Sequence, residues 1–375
     1  MSNNSGHKTK VLVFSPALDA VSGVSTHVNV LLKSSLVLRY DFMHFQVGSE
    51  GRIESALQRL GRFIFSPLHL AAFIVWHRPN IVHINTSFDQ KAFWRDFAYL
   101  IVARLLGRKV VSQVHSGSAP LSLFSSSALA LLLKRFLLAS HAVIVLSNEA
   151  KRSYKAFDSR IAVELVPNAI EAAELLEVER DAPTDGAPLK LVYMGRIIRE
   201  KGIYDSLSAL KLLKEEGIEF TLQIAGAGPD ETAVREFIEE LGLGGEVTML
   251  GPVYGKAKSQ LWLSSDIQVL PTYFNEGLPY AILESLAAGC VPITCSIAAI
   301  PDVIQDGVHG IFVPAHAPIA IASAIRQLSA NRDQLLSMSL AGRRRIAERY
   351  VVDRLADQLD KIYGPLSDKM PTFVT

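Results

Sequence analysis

The chain lacks several features that would each point to a class of protein. It has two cysteines in 375 residues, Cys290 and Cys295, and no cluster of histidine or cysteine lies near them. A disulfide framework and a zinc site are therefore not expected, and we expect two buried thiols in a reducing compartment. No two aspartates are separated by a single residue, so the Asp-x-Asp motif that binds a divalent metal ion is also missing.

Long apolar runs are scarce. No uncharged apolar stretch reaches the roughly 18–20 residues of a spanning helix. The stretch that comes closest, residues 119–133, is rich in serine and is followed by Lys134 and Arg135. The first ten residues are polar, and Pro16 and Asp19 interrupt the apolar run after them, which does not fit a signal peptide. We therefore expect a cytoplasmic protein.

The charge is balanced over the whole chain but not within it. The net charge of +1 gives no reason to expect a nucleic acid as partner. Residues 1–178 carry 19 Lys/Arg and 12 Asp/Glu, whereas the remainder carries 19 and 25. A basic half joined to an acidic half suggests that the first half faces something anionic.

Short apolar runs alternate with helical patterns along the whole chain. The runs that predict strands are 11–14, 81–84, 110–114, 142–146, 161–166, 190–194, 220–225, 247–250, 267–270 and 291–294. The segments that predict helices are 25–37, 92–106, 128–138, 204–213, 233–241, 279–288, 318–328, 337–349 and 352–363. This alternation is typical of parallel sheets covered by helices, and a Pro/Gly/Asp cluster at 182–188 predicts a linker. We expect an α/β protein with two Rossmann-like domains, 1–180 and 181–350, facing each other across a cleft, followed by a helix and tail at 351–375.

The most specific motif is FNEGLPYAILE, which holds Glu276 and Glu284 with seven residues between them. Pro279 suits the first turn of a helix because its missing N–H would be unpaired there. The amide groups of Gly277 and Leu278 would then favour an anionic or oxygen-rich ligand above the helix N-terminus. Glu284, about five residues into the helix, is suited to hold a vicinal diol.

A second motif, YMGRIIREKG, places Arg196 and Lys201 in a loop that follows a strand ending at Gly195. Two cations in such a loop predict a diphosphate site. The segment IAGAGPD has Gly226 and Gly228 but no third glycine, so it is a weak dinucleotide fingerprint. We expect a strand-to-helix turn near a nucleotide there.

These motifs, followed by Asp306, Gly307 and Gly310, resemble the family 4 retaining glycosyltransferases, which have the two-domain GT-B fold. The resemblance is dense over residues 191–313. It implies that Arg196 and Lys201 bind the donor diphosphate, that Glu284 holds the ribose and that Glu276 contacts the transferred sugar. It also implies retention of the anomeric configuration and no bound metal.

The first half resembles the family more faintly. Ser22 replaces the first of two glycines in the donor-side loop, and Gly23 matches the second. His115 follows a strand where the family often has a histidine that lines the acceptor side, although a packing role is also open. The catalytic residues that the resemblance implies are Glu276, His115, Arg196 and Lys201. The implied donor-binding residues are Gly23, Arg196, Lys201, Gly226, Glu276, Gly277, Leu278, Pro279 and Glu284.

Basic and apolar side chains alternate at helical spacing in the first half. The residues concerned are Arg52, Leu57, Arg59, Leu60, Arg62 and Phe63, and Lys134 and Arg135 beside apolar runs. Such segments can lie on an anionic bilayer, and ordinary amphipathic helices with a solvated cationic face explain the pattern equally well. If the membrane interpretation holds, the acceptor is expected to be lipid-linked.

The sequence therefore predicts a metal-independent retaining glycosyltransferase with an N-terminal acceptor domain and a C-terminal donor domain. The nucleotide-sugar, UDP- or GDP-linked, is a substrate, and no cofactor is expected. The expected acceptor is a glycan or glycolipid, and the expected place is the cytoplasm or the inner face of the cytoplasmic membrane. Two alternatives remain open: a non-catalytic binding protein with this fold, and a sugar-nucleotide epimerase or oxidoreductase of similar architecture.

Overall fold

The computed structural model contains two compact units. It describes residues 8–88, 90–117, 120, 126–180, 186–275 and 277–367, apart from the side chains at 90 and 91. The first unit comprises residues 1–169, 276–278 and 352–375, and the second comprises residues 170–275 and 279–351. Most of the predicted linker lies outside the described residues.

Strands and helices alternate through both units. The strands are β1 (Thr9–Ser15), β2 (Tyr40–Gln46), β3 (Ile81–Thr86), β4 (Lys109–Val114), β5 (Ala142–Val145), β6 (Val163–Leu165), β7 (Leu189–Met194), β8 (Phe220–Ala225), β9 (Val247–Gly251), β10 (Ile267–Leu270), β11 (Val291–Thr294) and β12 (Ile311–Phe312). The α-helices are α1 (Gly23–Lys33), α2 (Ala56–His77), α3 (Gln90–Leu105), α4 (Ser127–Ala139), α5 (Asn148–Phe157), α6 (Ala173–Leu176), α7 (Ile203–Glu215), α8 (Glu231–Glu240), α9 (Gly255–Leu263), α10 (Tyr280–Ala288), α11 (Ile300–Val303), α12 (Pro318–Ala330), α13 (Arg332–Arg349) and α14 (Val352–Leu366). Short 3-10 helices lie at Ser35–Leu38 and Arg199–Lys201.

The first unit is built on a parallel sheet in the order β2-β1-β3-β4-β5-β6. Its two faces carry separate hydrophobic cores. One core joins the sheet to α2, α3, α4 and α5, and includes the buried Phe93 and Phe136. The other joins it to α1 and α14, and includes the buried Leu31 and Leu359. The last helix of the chain therefore belongs to the core of the first unit.

The second unit has a parallel sheet in the order β12-β11-β10-β7-β8-β9. This is the doubly wound order, and the direction of winding reverses between β7 and β10. Ligands of such sheets bind outside the carboxyl ends of the strands at this reversal. The two parallel sheets confirm the predicted α/β class.

Helix α2 is the main surprise of the first unit. It has 22 residues, begins with a capping box formed by Ser55 and Gln58, and buries only Leu70 and Ile74. By length and composition it is apolar enough to cross a membrane. The sequence criterion, which required an uncharged stretch, passed over this segment because Arg59 and Arg62 interrupt it.

Candidate active site

The loop after β7 carries the two cations predicted to bind a diphosphate. Arg196 is exposed, and its carbonyl oxygen accepts a hydrogen bond of 3.0 Å from the Tyr193 hydroxyl, which fixes the loop backbone. Lys201 ends a 3-10 helix and is only 9% exposed. Its Nζ lies 5.4 Å from the centroid of the Phe274 ring, within cation–π range. Arg196 is therefore open to solvent, whereas Lys201 is held beside Phe274.

The loops that follow β7 and β10 hold each other at the winding reversal. The Tyr273 N–H donates to the Glu200 carbonyl oxygen at 2.9 Å. Gly202 has a φ of +75°, and a Cβ there would come within 2.4 Å of the Pro271 carbonyl oxygen. Only glycine accommodates both the left-handed backbone and this close approach. Lys201 is thus fixed beside the segment that leads into α10.

Gly226 serves backbone packing between the loops after β7 and β8. Its φ is +146°, and an added Cβ would lie 1.9 Å from the Gly195 carbonyl oxygen. The neighbouring Gly228 is equally tight, with a Cβ position 2.1 Å from the Ile197 carbonyl oxygen. Backbone packing therefore explains why both positions are glycine. Contact of Gly226 with a donor stays a prediction.

Glu284 lies on α10 and has two partners that the sequence did not indicate. Its Oε1 accepts from Lys258 Nζ at 2.6 Å and its Oε2 accepts from Trp262 Nε1 at 3.3 Å. Both partners are on α9, and the Glu284 side chain is 15% exposed. A carboxylate oxygen has a second lone pair, so Glu284 can accept a further hydrogen bond from a hydroxyl group while it stays oriented by α9.

The segment before α10 differs from the prediction. Pro279 occupies the N-cap position, and the helix begins one residue later at Tyr280. Gly277 and Leu278 belong to the first unit, where the Leu278 carbonyl oxygen accepts from Asn168 Nδ2 at 2.8 Å. A Cβ on Gly277 would lie 2.5 Å from the His115 carbonyl oxygen. These two residues are therefore buried and packed, and their contact with a sugar stays a prediction.

Glu276, the first carboxylate of the motif, lies outside the described residues. Its predicted contact with the transferred sugar therefore remains an expectation from the resemblance.

Gly23 is the first residue of α1, and Ser22 is its N-cap. The Ser22 hydroxyl oxygen accepts from the Ser25 N–H at 3.1 Å. The serine that replaces the first glycine of the family loop thus has a structural role as a cap. Gly23 is exposed, and a Cβ there would meet nothing within 4 Å. Local packing therefore does not require a glycine at this position.

We expect Gly23→Ala and Gly226→Ala to have opposite effects on thermal stability. Gly23→Ala should keep or slightly raise the melting temperature, because alanine favours a helix. If a donor phosphate meets the Gly23 amide, the added Cβ should crowd it and weaken donor binding about tenfold, or about 1.4 kcal/mol. Gly226→Ala should lower stability by at least about 2 kcal/mol because its backbone must shift. Thermal unfolding and nucleotide titration of both variants measure this. Unchanged affinity in Gly23→Ala would contradict a close approach of the donor to the Gly23 Cα.

His115 follows β4 at its carboxyl end and is held in one tautomer. Its Nε2 lies 2.7 Å from Asn85 Oδ1, and Asn85 Nδ2 donates to the Phe14 carbonyl oxygen at 2.8 Å. Since this second bond fixes the amide, Asn85 Oδ1 is an acceptor and His115 Nε2 carries the proton. Nδ1 of neutral His115 therefore keeps its lone pair and can accept a hydrogen bond.

Two further histidines surround His115 in the first unit, and the sequence left both without a role. His27 and His83 are fully buried, and the His27 ring centroid lies 5.0 Å from that of His115. Burial lowers the pKa of His27 to about 4 and that of His83 to about 3, where a nearby His27 also contributes. Burial and these two neighbours hold the pKa of His115 well below its usual range. All three are neutral at pH 7.

Two family patterns match the chain almost end to end. The pattern described as Glycosyltransferase Family 4 matches residues 10–174, and Glycosyl transferases group 1 matches residues 177–345. The two α/β units, each built on a six-stranded parallel sheet, are those of the GT-B fold. The chain belongs to the family 4 glycosyltransferases, which confirms the resemblance found in the sequence.

Known proteins of this kind are distant in sequence. A Salmonella typhimurium protein described as a colanic acid biosynthesis glycosyltransferase is 26% identical over 186 residues, 48% of this chain and 46% of that protein. The GDP-mannose-dependent alpha-(1-6)-phosphatidylinositol monomannoside mannosyltransferase of Mycobacterium tuberculosis is 26% identical over 175 residues, 45% of this chain and 46% of that protein. The chain spans about half the length of these curated relatives.

The fold is also found in solved structures. The Anabaena protein HepE, determined in complex with UDP, has a TM-score of 0.74 and 14% identity, covering 96% of this chain and all of that one. At this identity the likeness establishes the fold alone. None of these matches favours the epimerase, oxidoreductase or non-catalytic alternatives.

Proposed function

We propose that the chain is a retaining, metal-independent glycosyltransferase that moves a sugar from a UDP- or GDP-linked donor to a glycan or glycolipid acceptor. We place it in the cytoplasm or at the inner face of the cytoplasmic membrane. The acceptor class is supported by relatives that are described as acting in colanic acid biosynthesis and on a phosphatidylinositol mannoside. The donor class is supported by the UDP bound to HepE and by the GDP-mannose dependence of the second relative.

The observation that carries this proposal is the set of polar groups at the winding reversal of the second sheet. Arg196 and Lys201 supply two positive charges beside the strand ends, and Glu284 supplies an oriented carboxylate. A nucleotide diphosphate matches this pattern, because its phosphates need cations and its ribose offers a pair of hydroxyl groups.

The same groups suggest how the donor reacts. When the bond between sugar and diphosphate breaks, negative charge develops on the departing phosphate, and fixed cations stabilise it in the transition state. With no assigned covalent nucleophile, the acceptor hydroxyl would attack from the face that the phosphate leaves, assisted by a phosphate oxygen. This route retains the anomeric configuration.

The same charges support the proposal of metal independence. Arg196 and Lys201 can neutralise the diphosphate without a bridging cation, and the sequence has no Asp-x-Asp motif to hold one. Within the described residues, no three His, Cys, Asp or Glu side chains are grouped as metal ligands.

A thermal-shift panel tests the donor site. A nucleotide diphosphate at 100 times its dissociation constant should stabilise the protein by about 2.7 kcal/mol, and we expect UDP or GDP to do so equally with and without EDTA. In Glu284→Gln the response should shrink, because a neutral amide holds the ribose hydroxyls less strongly. A response that needs Mn²⁺ would contradict metal independence. No response to any nucleotide would remove the donor site.

A further inference from the structure

Helix α2 presents an apolar stripe to solvent. The stripe recurs every three or four residues from Leu57 through Leu60 and Ile64 to Leu68 and resumes one heptad later at Val75, with Trp76 beside it. Each of these side chains is more than half exposed, and Leu57 and Trp76 exceed 80%. Exposed apolar patches of this extent mark interaction sites in folded proteins.

On the same face of the first sheet α3 packs beside α2 and α4 packs beside α3, and both helices expose further apolar side chains. On α3, Trp94 is 46% and Leu105 is 81% exposed, and on α4, Leu131 is 51% exposed. We call the outward sides of α2, α3 and α4 the outer helical surface. Its breadth exceeds what one partner helix would cover, because three adjacent helices contribute to it.

The helices of this surface carry mainly cations, of which Arg62, Arg95 and Lys134 are paired with Glu54, Asp96 and Asp158. The three helices contain seven Lys/Arg and a single acidic residue, Asp96. Asp96 is buried and forms an ion pair with Arg95. Arg59 on α2 and Arg135 on α4 are exposed. Apolar side chains among cations, with no exposed carboxylate on the described part of these three helices, fit a hydrocarbon layer beneath anionic headgroups.

We propose that the outer helical surface docks the enzyme on an anionic lipid bilayer, with α2 lying in the plane of the interface. The helix does not cross the membrane, because Leu70 and Ile74 anchor its other side in the core of the first unit. Trp76 and Trp94 are placed where tryptophan side chains favour the headgroup region. The use of this surface, access to a lipid-linked acceptor, rests on the proposed function. The membrane binding of the surface does not.

Vesicle flotation with the full chain tests the surface. We expect binding to vesicles of phosphatidylcholine with one-quarter phosphatidylglycerol, and little binding to phosphatidylcholine alone. Each removed cation should weaken binding about fivefold, so Arg59→Gln with Arg135→Gln should lose more than tenfold. The apolar triple variant Leu60→Ser, Ile64→Ser, Leu68→Ser should lose at least as much. Matched controls on the second unit, Arg344→Gln with Arg349→Gln and Ile319→Ser with Leu340→Ser, should bind as the parent does.

Tryptophan fluorescence provides a second readout. Trp76 and Trp94 should be quenched by brominated phosphatidylcholine in anionic vesicles, whereas the buried Trp262 should not. Trp76→Phe with Trp94→Phe should therefore abolish the quenching. Protein that remains in the membrane after alkaline carbonate extraction would overturn the interfacial placement in favour of a spanning helix.

The failure of this inference is separable from failure of the proposed function. If the variants bind vesicles like the parent, or the parent binds none and dimerises through this face, the docking proposal is overturned. The nucleotide thermal shift, which reports the second unit, should stay unchanged in every variant of the outer helical surface. Loss of the nucleotide response in the parent would overturn the proposed function while leaving vesicle binding intact.

Discussion

Replacing Arg196 by alanine is expected to lower kcat about 100- to 1,000-fold, the usual cost of removing one group that stabilises developing charge. The side chain is exposed, so the melting temperature should change little. Release of the nucleotide diphosphate from UDP- and GDP-sugars, with acceptor or by slow hydrolysis, measures the rate. The loss should lie mainly in kcat, because the charge that Arg196 meets is largest in the transition state.

The matched control is Arg199→Ala in the same loop. Arg199 is also exposed, and its guanidinium lies 4.3 Å from the centroid of the Tyr204 ring. Its loss should change kcat by less than about threefold, because this cation is engaged with an aromatic face. Equal effects of the two substitutions would show that the loop needs positive charge in general, and normal turnover in Arg196→Ala would remove Arg196 from the site.

Acidification from pH 7 to pH 5 is expected to cost the first unit about 4 kcal/mol of unfolding free energy through His27 and His83. Burial lowers the pKa of His27 to about 4 and of His83 to about 3, whereas both titrate near 6.5 when unfolded. The unfolded chain therefore binds more protons below pH 6.5. The stability that these neutral histidines contribute is fully present above that pH and is lost as the pH falls towards their folded pKa values.

Urea unfolding at a series of pH values measures this loss. The double variant His27→Gln, His83→Gln should be less stable at pH 7 but should lose much less on acidification. The same substitution at the exposed His69 serves as the control for the loss of an imidazole side chain. A parent protein whose stability is flat between pH 7 and 5 would contradict neutral, buried histidines.

Most of the strands were predictable because they consist mainly of buried apolar residues. The bounds of β8, β10 and β11 agree with the sequence prediction, since each is a short run of mainly apolar residues. Strand β2 was missed because it lies at the edge of its sheet, where Asp41 is exposed and only Tyr40 and Phe45 are buried. Because an edge strand needs at most one apolar face, its hydrophobic pattern in the sequence is weak.

The candidate site was predicted in type but not in its contacts. The motif spacing located Glu284, but its partners Lys258 and Trp262 lie more than 20 residues earlier on another helix. Local sequence gives no information about such pairs. In the same way, the motif predicted that the Gly277 amide faces a ligand, whereas the structure shows Gly277 packed against the backbone of His115. The catalytic and donor-binding roles stay predictions.

The place of α14 in the first core has a consequence for biosynthesis. Leu355, Leu359 and Tyr363 pack in the same cluster as Leu31 and Tyr40, so one core joins the segments that precede and follow the second unit in the sequence. Because translation runs from the N-terminus, the second unit, complete at residue 351, can fold while the first still lacks its last helix. The first unit to leave the ribosome is thus the last to finish folding, and a chain that stalls before α14 would expose the apolar side of α1 to chaperones and proteases.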